Sequence, residues 1–286
     1  MDVSIIIINY NTISYLCTAI DSILKKTIDI KYEIIVVDNN SSDNSEVIIS
    51  QKYGDKVIFI KLHQNIGFGR ANNEGVKYAK GNYLFLLNPD TILINNAVKI
   101  LHNFIKNDKQ VGICGGNLYD AKNNPSYSYS NLPSIFVEFK ELFAIYGEYF
   151  NYTKNPKKVG YITGADLMIS KELFIQLNGF DDSFFMYYED TELNHRVKKN
   201  GYLIYNIPAA QIIHLEGKSL KTNEKKIKMI FESRKKFYRK IHAKSYCQII
   251  NKIFAIKIFS RLFVYTVLKN KERINYYKFC KNSFII

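Results

Sequence analysis

The chain has 286 residues, is 47% hydrophobic and carries a formal net charge of +14, which excludes a globally disordered chain and suits one large α/β domain with an appendage or two small domains. The charge is uneven: residues 1–217 hold 21 Lys+Arg against 23 Asp+Glu, whereas residues 218–286 hold 19 against 3, an excess of +16. The four cysteines, Cys17, Cys114, Cys247 and Cys280, lack metal-ligand spacing and read as reduced thiols of a cytoplasmic protein.

Taken in chain order, the first half alternates strand and helix signals. Residues 3–9 form an apolar, β-branched strand entered directly from Met1, which argues against a secretory leader. Helical apolar spacing follows over 14–26, then a strand over 33–38 and a helix that Asp43 can cap, running to about 51. Strands over 56–62, 83–87 and 111–118 alternate with helices over 69–79 and 95–106. Alternation of this kind predicts a mostly parallel sheet covered on both faces by helices.

The second half is less regular. Residues 123–133 read as a polar, aromatic loop, 134–149 as a helix, and 159–170 as a strand broken at Gly164. A helix over 190–200 precedes short strands over 202–206 and 211–214. Two helices are expected at the end, a strongly basic one over 224–242 and a more apolar one over 246–270. The segment 249–268 contains Asn251, Lys252, Lys257, Ser260 and Arg261, so a helix lying in a membrane interface, or docked on the domain, fits better than a membrane span. The basic, apolar tail suggests an anionic membrane surface; nucleic acid and a plain solvated helix face are the rival readings.

Strand ends carry the chemistry. The ligand edge of an open α/β sheet lies at the carboxyl ends of its parallel strands. The first strand ends in Asn9-Tyr10-Asn11, the second in Asp38-Asn39-Asn40, and the fourth in Asn88-Pro89-Asp90. Asp38 can accept hydrogen bonds from a pyrimidine imide or a ribose hydroxyl; Asn9, Asn11 and Asn40 are also common turn residues. Gly67-Phe68-Gly69 opens a helix whose N–H groups, with Arg70, suit a diphosphate, and Asn72 and Asn73 follow. Glu189-Asp190 starts a later helix after an aromatic loop, where two acids also favour the helix dipole.

These stretches, with Thr163-Gly164-Ala165-Asp166 and Gly179-Phe180-Asp181 through to Arg196, resemble glycosyltransferase family 2 in its order over residues 3–217, and within it bacterial rhamnosyltransferase-like members. The resemblance implies a GT-A fold over 1–217, with a nucleotide-binding half over 1–118 and an acceptor-binding half over 119–217, followed by a basic helical extension over 218–286. It implies inverting transfer from a nucleotide-diphosphate sugar, dTDP-L-rhamnose or a UDP-hexose, to a glycan or lipid-diphosphate-linked acceptor at the cytoplasmic face of a bacterial membrane. Asn9, Asn11, Asp38, Asn40, Gly67, Gly69, Arg70, Asn72, Asn88, Gly164 and Asp166 would bind the donor, and Asp181 and Arg196 the acceptor side. Asn88-Pro89-Asp90 stands where the family has Asp-x-Asp, so Asp90 with His214 would hold Mn2+ or Mg2+ through one carboxylate fewer. Asp190 would be the general base, with Glu189 its runner-up. A non-catalytic nucleotide- or nucleic-acid-binding protein is the alternative from another class; the survival of Asp90, His214, Glu189 and Asp190 together argues against it, so no nucleic-acid partner is expected.

Overall fold

The computed structural model describes residues 1–143, 154–215 and 224–285. Two compact units divide the chain: Met1–Ser130 with Glu148–Ser219, and Asn131–Gly147 with Leu220–Ile286. The boundary expected at 217/218 and the last residues of the helix expected over 134–149 lie outside the described residues.

The first unit is a sheet with helices. Its elements are β1 (Val3–Asn9), α1 (Ile13–Lys26), β2 (Tyr32–Asp38), α2 (Ser45–Tyr53), β3 (Ile58–Lys61), α3 (Phe68–Val76), β4 (Tyr83–Leu87), β5 (Thr91–Leu93), α4 (Ala97–Asn107) and β6 (Val111–Tyr119). After α5 (Ile135–Leu142) of the second unit, β8 (Lys157–Lys158), β9 (Tyr161–Ile162), β10 (Asp166–Ser170), α6 (Lys171–Gln176), α7 (Glu189–Lys199) and β11 (Leu203–His214) complete it, with β7 (Tyr129–Ser130) pairing β9. The main sheet runs β3-β2-β1-β4-β10-β6-β11-β5.

The parallel reading holds for the first four strands of that order: β3, β2, β1 and β4 are parallel neighbours. Beyond them the sheet is mixed, because β10 enters antiparallel between β4 and β6. Central strands are covered on both faces, so β1 is buried along its whole length, which explains its unbroken Ile run. One apolar layer gathers Ile5, Ile7, Phe85 and Leu87 under α1 and α4; the opposite layer gathers Ile6, Ile8, Leu84 and Leu86 with Ala71 of α3 and Leu193 of α7. The two strands expected over 202–206 and 211–214 are one, β11, with a register shift between Ile207 and Gln211. Pro208 sits in that interval and offers no N–H to the ladder, so the strand bulges there without ending.

The second unit packs α5 with α8 (Glu224–Ile241), α9 (Lys244–Val267) and α10 (Lys271–Ile285). Glu138 and Arg234 form a buried ion pair at 2.9 Å, and Tyr238 donates to the same carboxylate at 3.1 Å. Arg234 also lies 3.9 Å from the ring centre of Phe254, so its planar cation is both paired and stacked. No described helix is long and apolar enough to cross a membrane.

Candidate active site

Parallel pairing sets Asn9 beside Asp38 at the carboxyl ends of β1 and β2. Both are buried, and Asn9 Nδ2 donates to Asp38 Oδ1 at 2.8 Å. Asp38 Oδ2 accepts the Ser41 N–H at 2.9 Å. A carboxylate oxygen has two acceptor directions, so each retains one for a ligand. Asn11 and Asn40 hold left-handed backbone with φ 56° and 65°, which asparagine tolerates better than most residues, and both are exposed at this edge. Asn11 Oδ1 accepts the Ser42 N–H at 2.8 Å, closing the loop after β1 onto the loop after β2.

Gly67 is fixed by its surroundings. Its φ is +89°, and a Cβ there would lie 2.1 Å from the carbonyl oxygen of Phe185. That same carbonyl accepts the Phe68 N–H at 3.0 Å, joining the start of α3 to the aromatic loop before α7. Gly69 faces Glu189: an added Cβ would come 3.5 Å from the Glu189 Cβ. Arg70 donates from Nε to the Asp182 carbonyl at 2.6 Å. Asn72 is buried; its Nδ2 caps the Phe68 carbonyl at 3.0 Å, while its Oδ1 is buried without a partner. Asn73 exchanges hydrogen bonds with the Phe180 backbone and reaches Asp182 at 3.1 Å, so it braces the loop.

A chain of contacts joins the two acidic centres. Asp190 Oδ2 accepts the Gly164 N–H at 2.9 Å. Ala165, the next residue, accepts the Asn88 N–H at 3.0 Å. Asn88 Nδ2 lies 3.4 Å from His214 Nε2, which is 3.3 Å from Asp90 Oδ1. The antiparallel entry of β10 produces this chain, since it brings the Gly164-Ala165 corner against the end of β4. Asp90 and His214 are brought together because β5, two residues after Pro89, pairs with the end of β11.

Burial sets the charge states of the acids. Desolvation, with the Asp190 charge adding, pushes the Glu189 carboxyl up to about 8, so it is neutral at pH 7. Its Oε2 is buried without a partner. Asp190 is also raised by desolvation, against which the N–H groups of Gly164 and Thr191 act, and it is less buried than Glu189. The acid of this pair that is more exposed and better hydrogen-bonded is therefore Asp190. The backbone feeding it is strained: Tyr187 and Tyr188 both hold left-handed φ, 70° and 67°.

Three candidates lie apart from this chain. Asp166 has no exposed surface; its Oδ2 accepts the Gly116 N–H at 2.5 Å, and burial pushes its carboxyl well above the usual range. As placed, it braces β10 on β6 and is closed off from solvent. Arg196 pairs with Glu192 at 2.7 Å and donates to the carbonyls of Leu177 and Gly179. Asp181 Oδ1 accepts the Ser183 N–H at 2.8 Å within its own loop before α7.

Sequence reading passed over Tyr127 and Tyr161, whose hydroxyls meet at 2.7 Å, with Tyr161 close enough to Asp190 to feel its charge. No sequence pattern marks them; β7–β9 pairing alone brings their segments together. It also passed over Asn39, which ties Asn65 and the Ile66 N–H to the β2 edge.

The Asp90–His214 pair fits a divalent cation. His214 Nδ1 is buried without a partner, and the Asn88 amide, whose oxygen and nitrogen can exchange by a flip, completes a mixed donor set. Among the described residues no three His, Cys, Asp or Glu side chains cluster, so the protein would supply few ligands and a diphosphate the rest.

The chain is similar to known proteins in sequence and in fold. The model of glycosyl transferase family 2 matches residues 4–177, and that of the N-terminal domain of galactosyltransferase matches residues 148–218. An uncharacterized glycosyltransferase of Rickettsia typhi is 33% identical over 184 residues, 63% of this chain and 54% of that protein. The chain thus matches about half the length of that relative. The N-acetylglucosaminyl-diphospho-decaprenol L-rhamnosyltransferase of Mycobacterium tuberculosis is 23% identical over 211 residues, 65% of this chain and 67% of that protein. A mannosyltransferase from Pyrobaculum calidifontis, solved with GDP-Man and Mn2+, superposes with a TM-score of 0.62 at 13% identity, covering 99% of this chain and 84% of that one. The fold is GT-A. With its family model matched across more than half its length, the chain belongs to glycosyl transferase family 2.

Proposed function

We propose that this enzyme transfers a sugar with inversion from a nucleotide-diphosphate sugar, dTDP-L-rhamnose, to a lipid-diphosphate-linked glycan at an anionic membrane surface. The observation that carries the transfer is the contact chain from Asp190 through Gly164-Ala165 and Asn88 to His214 and Asp90. It sets one hydrogen-bonded carboxylate and one cation-suited pair at the same sheet edge. Asp190 takes the proton from the acceptor hydroxyl as that oxygen attacks the anomeric carbon. The pair Asn9–Asp38 and the loop after β2 hold the nucleoside, and the Gly67-Phe68-Gly69 turn with Arg70 lies along the diphosphate. Asp90, His214 and Asn88 would hold Mn2+ or Mg2+, which when bound supplies positive charge against the leaving diphosphate. Glu189, neutral beside Asp190, avoids a second charge at the base.

Support for rhamnose and for a lipid-diphosphate acceptor comes from the Mycobacterium tuberculosis relative, and support for Mn2+ from the Pyrobaculum neighbour. Support for the membrane comes from the excess of +16 over residues 218–286. Thermal unfolding with dTDP, UDP and GDP, each with and without Mn2+, tests the reading. A specific ligand raises Tm by mass action. dTDP with Mn2+ should raise it most; a larger rise with UDP or GDP would reassign the donor, and no rise with any nucleotide would remove the nucleotide site.

A further inference from the structure

Helix α9 is apolar on two sides. One side packs within its own unit: Cys247, Ile250 and Ile258 are buried, and Phe254 meets Phe231 and Arg234. The other side carries Ile249, Ile256, Phe259, Phe263 and Val267, which remain exposed, Phe263 at 71% and Val267 at 64%. Successive members are three, four or seven residues apart, so at about 100° per residue they share one face, turned away from the packed side. The stripe is about 27 Å long at 1.5 Å per residue. A helix side that faces water is ordinarily polar, and an apolar stripe of this length, interrupted by Lys252 between Ile249 and Ile256, marks a binding face.

Charge decides the occupant. Lys244, Lys252, Lys269 and Lys271 are exposed along and beyond the stripe. Lys257 and Arg261 are on the packed side, where they engage Glu141. Residues 218–286 contain only 3 acidic residues against 19 basic ones. A second copy would bring the same positive field against itself, whereas an anionic bilayer offers negative charge above and apolar chains below.

We propose that α9 lies in the plane of an anionic membrane interface, with Ile249, Ile256, Phe259, Phe263 and Val267 below the headgroups and the flanking lysines at the phosphates. The proposal rests on the membrane reading above and adds insertion by one named face. The chain contains no tryptophan, so a single introduced one reports its own surroundings. Phe263→Trp places it on the stripe, and Tyr78→Trp on an exposed site of the sheet unit serves as control.

With vesicles of mixed phosphatidylglycerol and phosphatidylcholine, Phe263→Trp emission should shift to the blue and be quenched by lipids brominated in the acyl chain. Tyr78→Trp should do neither, and vesicles of phosphatidylcholine alone should leave both unchanged. Adding Phe259→Ser and Val267→Ser to Phe263→Trp should abolish binding at high salt while leaving some at low salt. Co-sedimentation with anionic vesicles without a shift would overturn insertion and leave charge-driven attachment standing. Absence of co-sedimentation would overturn both. A blue shift without vesicles, growing with protein concentration, would assign the face to a second copy and refute the proposal.

Discussion

Replacing Asp190 by Asn removes one proton acceptor and almost nothing else in volume. General-base catalysis contributes on the order of 10²–10⁴-fold, equivalent to about 3–5 kcal/mol of barrier. The structure adds a second, separable cost. Asp190 Oδ2 accepts from Gly164 N–H at 2.9 Å, and Oδ1 accepts from Thr191 N–H at 2.6 Å. Asparagine has one acceptor oxygen, so its NH2 must oppose one of those two N–H groups. Leaving a buried donor unsatisfied costs on the order of 1–3 kcal/mol, so the variant should also unfold at lower temperature. The assay must therefore measure turnover with saturating donor and acceptor well below the variant's Tm, with dTDP binding recorded on the same sample. Turnover should fall at least about a hundredfold with nucleotide affinity unchanged. Because burial raises the Asp190 carboxyl, the parent should lose activity on the acid side above the ordinary carboxylate value of 3.8, and the variant should lack that limb. Turnover within tenfold of the parent, with nucleotide still bound, would refute the assignment of the base.

Glu189→Gln should change pH dependence more than activity. Its folded carboxyl is raised from 4.5 to about 8, so the stability it allows is full below 4.5 and is lost as pH rises toward 8. The maximal slope is about 1.4 kcal/mol per pH unit, and the Gln variant should lack it; parallel Tm curves for the two proteins would refute the neutral Glu189. Asp90→Asn should lower turnover nearly as far as removal of metal by EDTA, and His214→Ala should lower it less; full activity in EDTA would remove the metal from the mechanism. Gly67→Ala should destabilise by on the order of 3 kcal/mol in urea unfolding, since the new methyl meets the Phe185 carbonyl in left-handed backbone; an unchanged midpoint would show that the 184–188 loop yields.

How much of this was legible in the sequence can be seen strand by strand. Apolar runs buried on both faces need only composition and length to be recognised, and each ends where polarity returns. That is why Asn9, Asp38 and Asp90 could be assigned to one edge before any coordinates. The same local signals found α1, α4, α8 and α9 within a few residues. Hydrophobic spacing also showed that α9 is too interrupted to span a membrane: its 24 residues include Lys252, Lys257 and Arg261, and no described helix is both long and apolar enough to cross.

Pairing and burial were decided only by the tertiary structure, because both are non-local. Nothing in residues 159–170 says that β10 runs antiparallel between β4 and β6, yet that insertion places Gly164 against Asp190 and Ala165 against Asn88. β5 is three residues long and has no periodicity to read, yet its pairing with β11 brings Asp90 to His214. Adjacent Glu189 and Asp190 are chemically alike in sequence; deeper burial pushes the Glu189 carboxyl up to about 8, while two backbone N–H groups hold the Asp190 carboxylate. Residue identity fixes which groups can ionise, but the dielectric around them and the donors aimed at them exist only once the chain has folded.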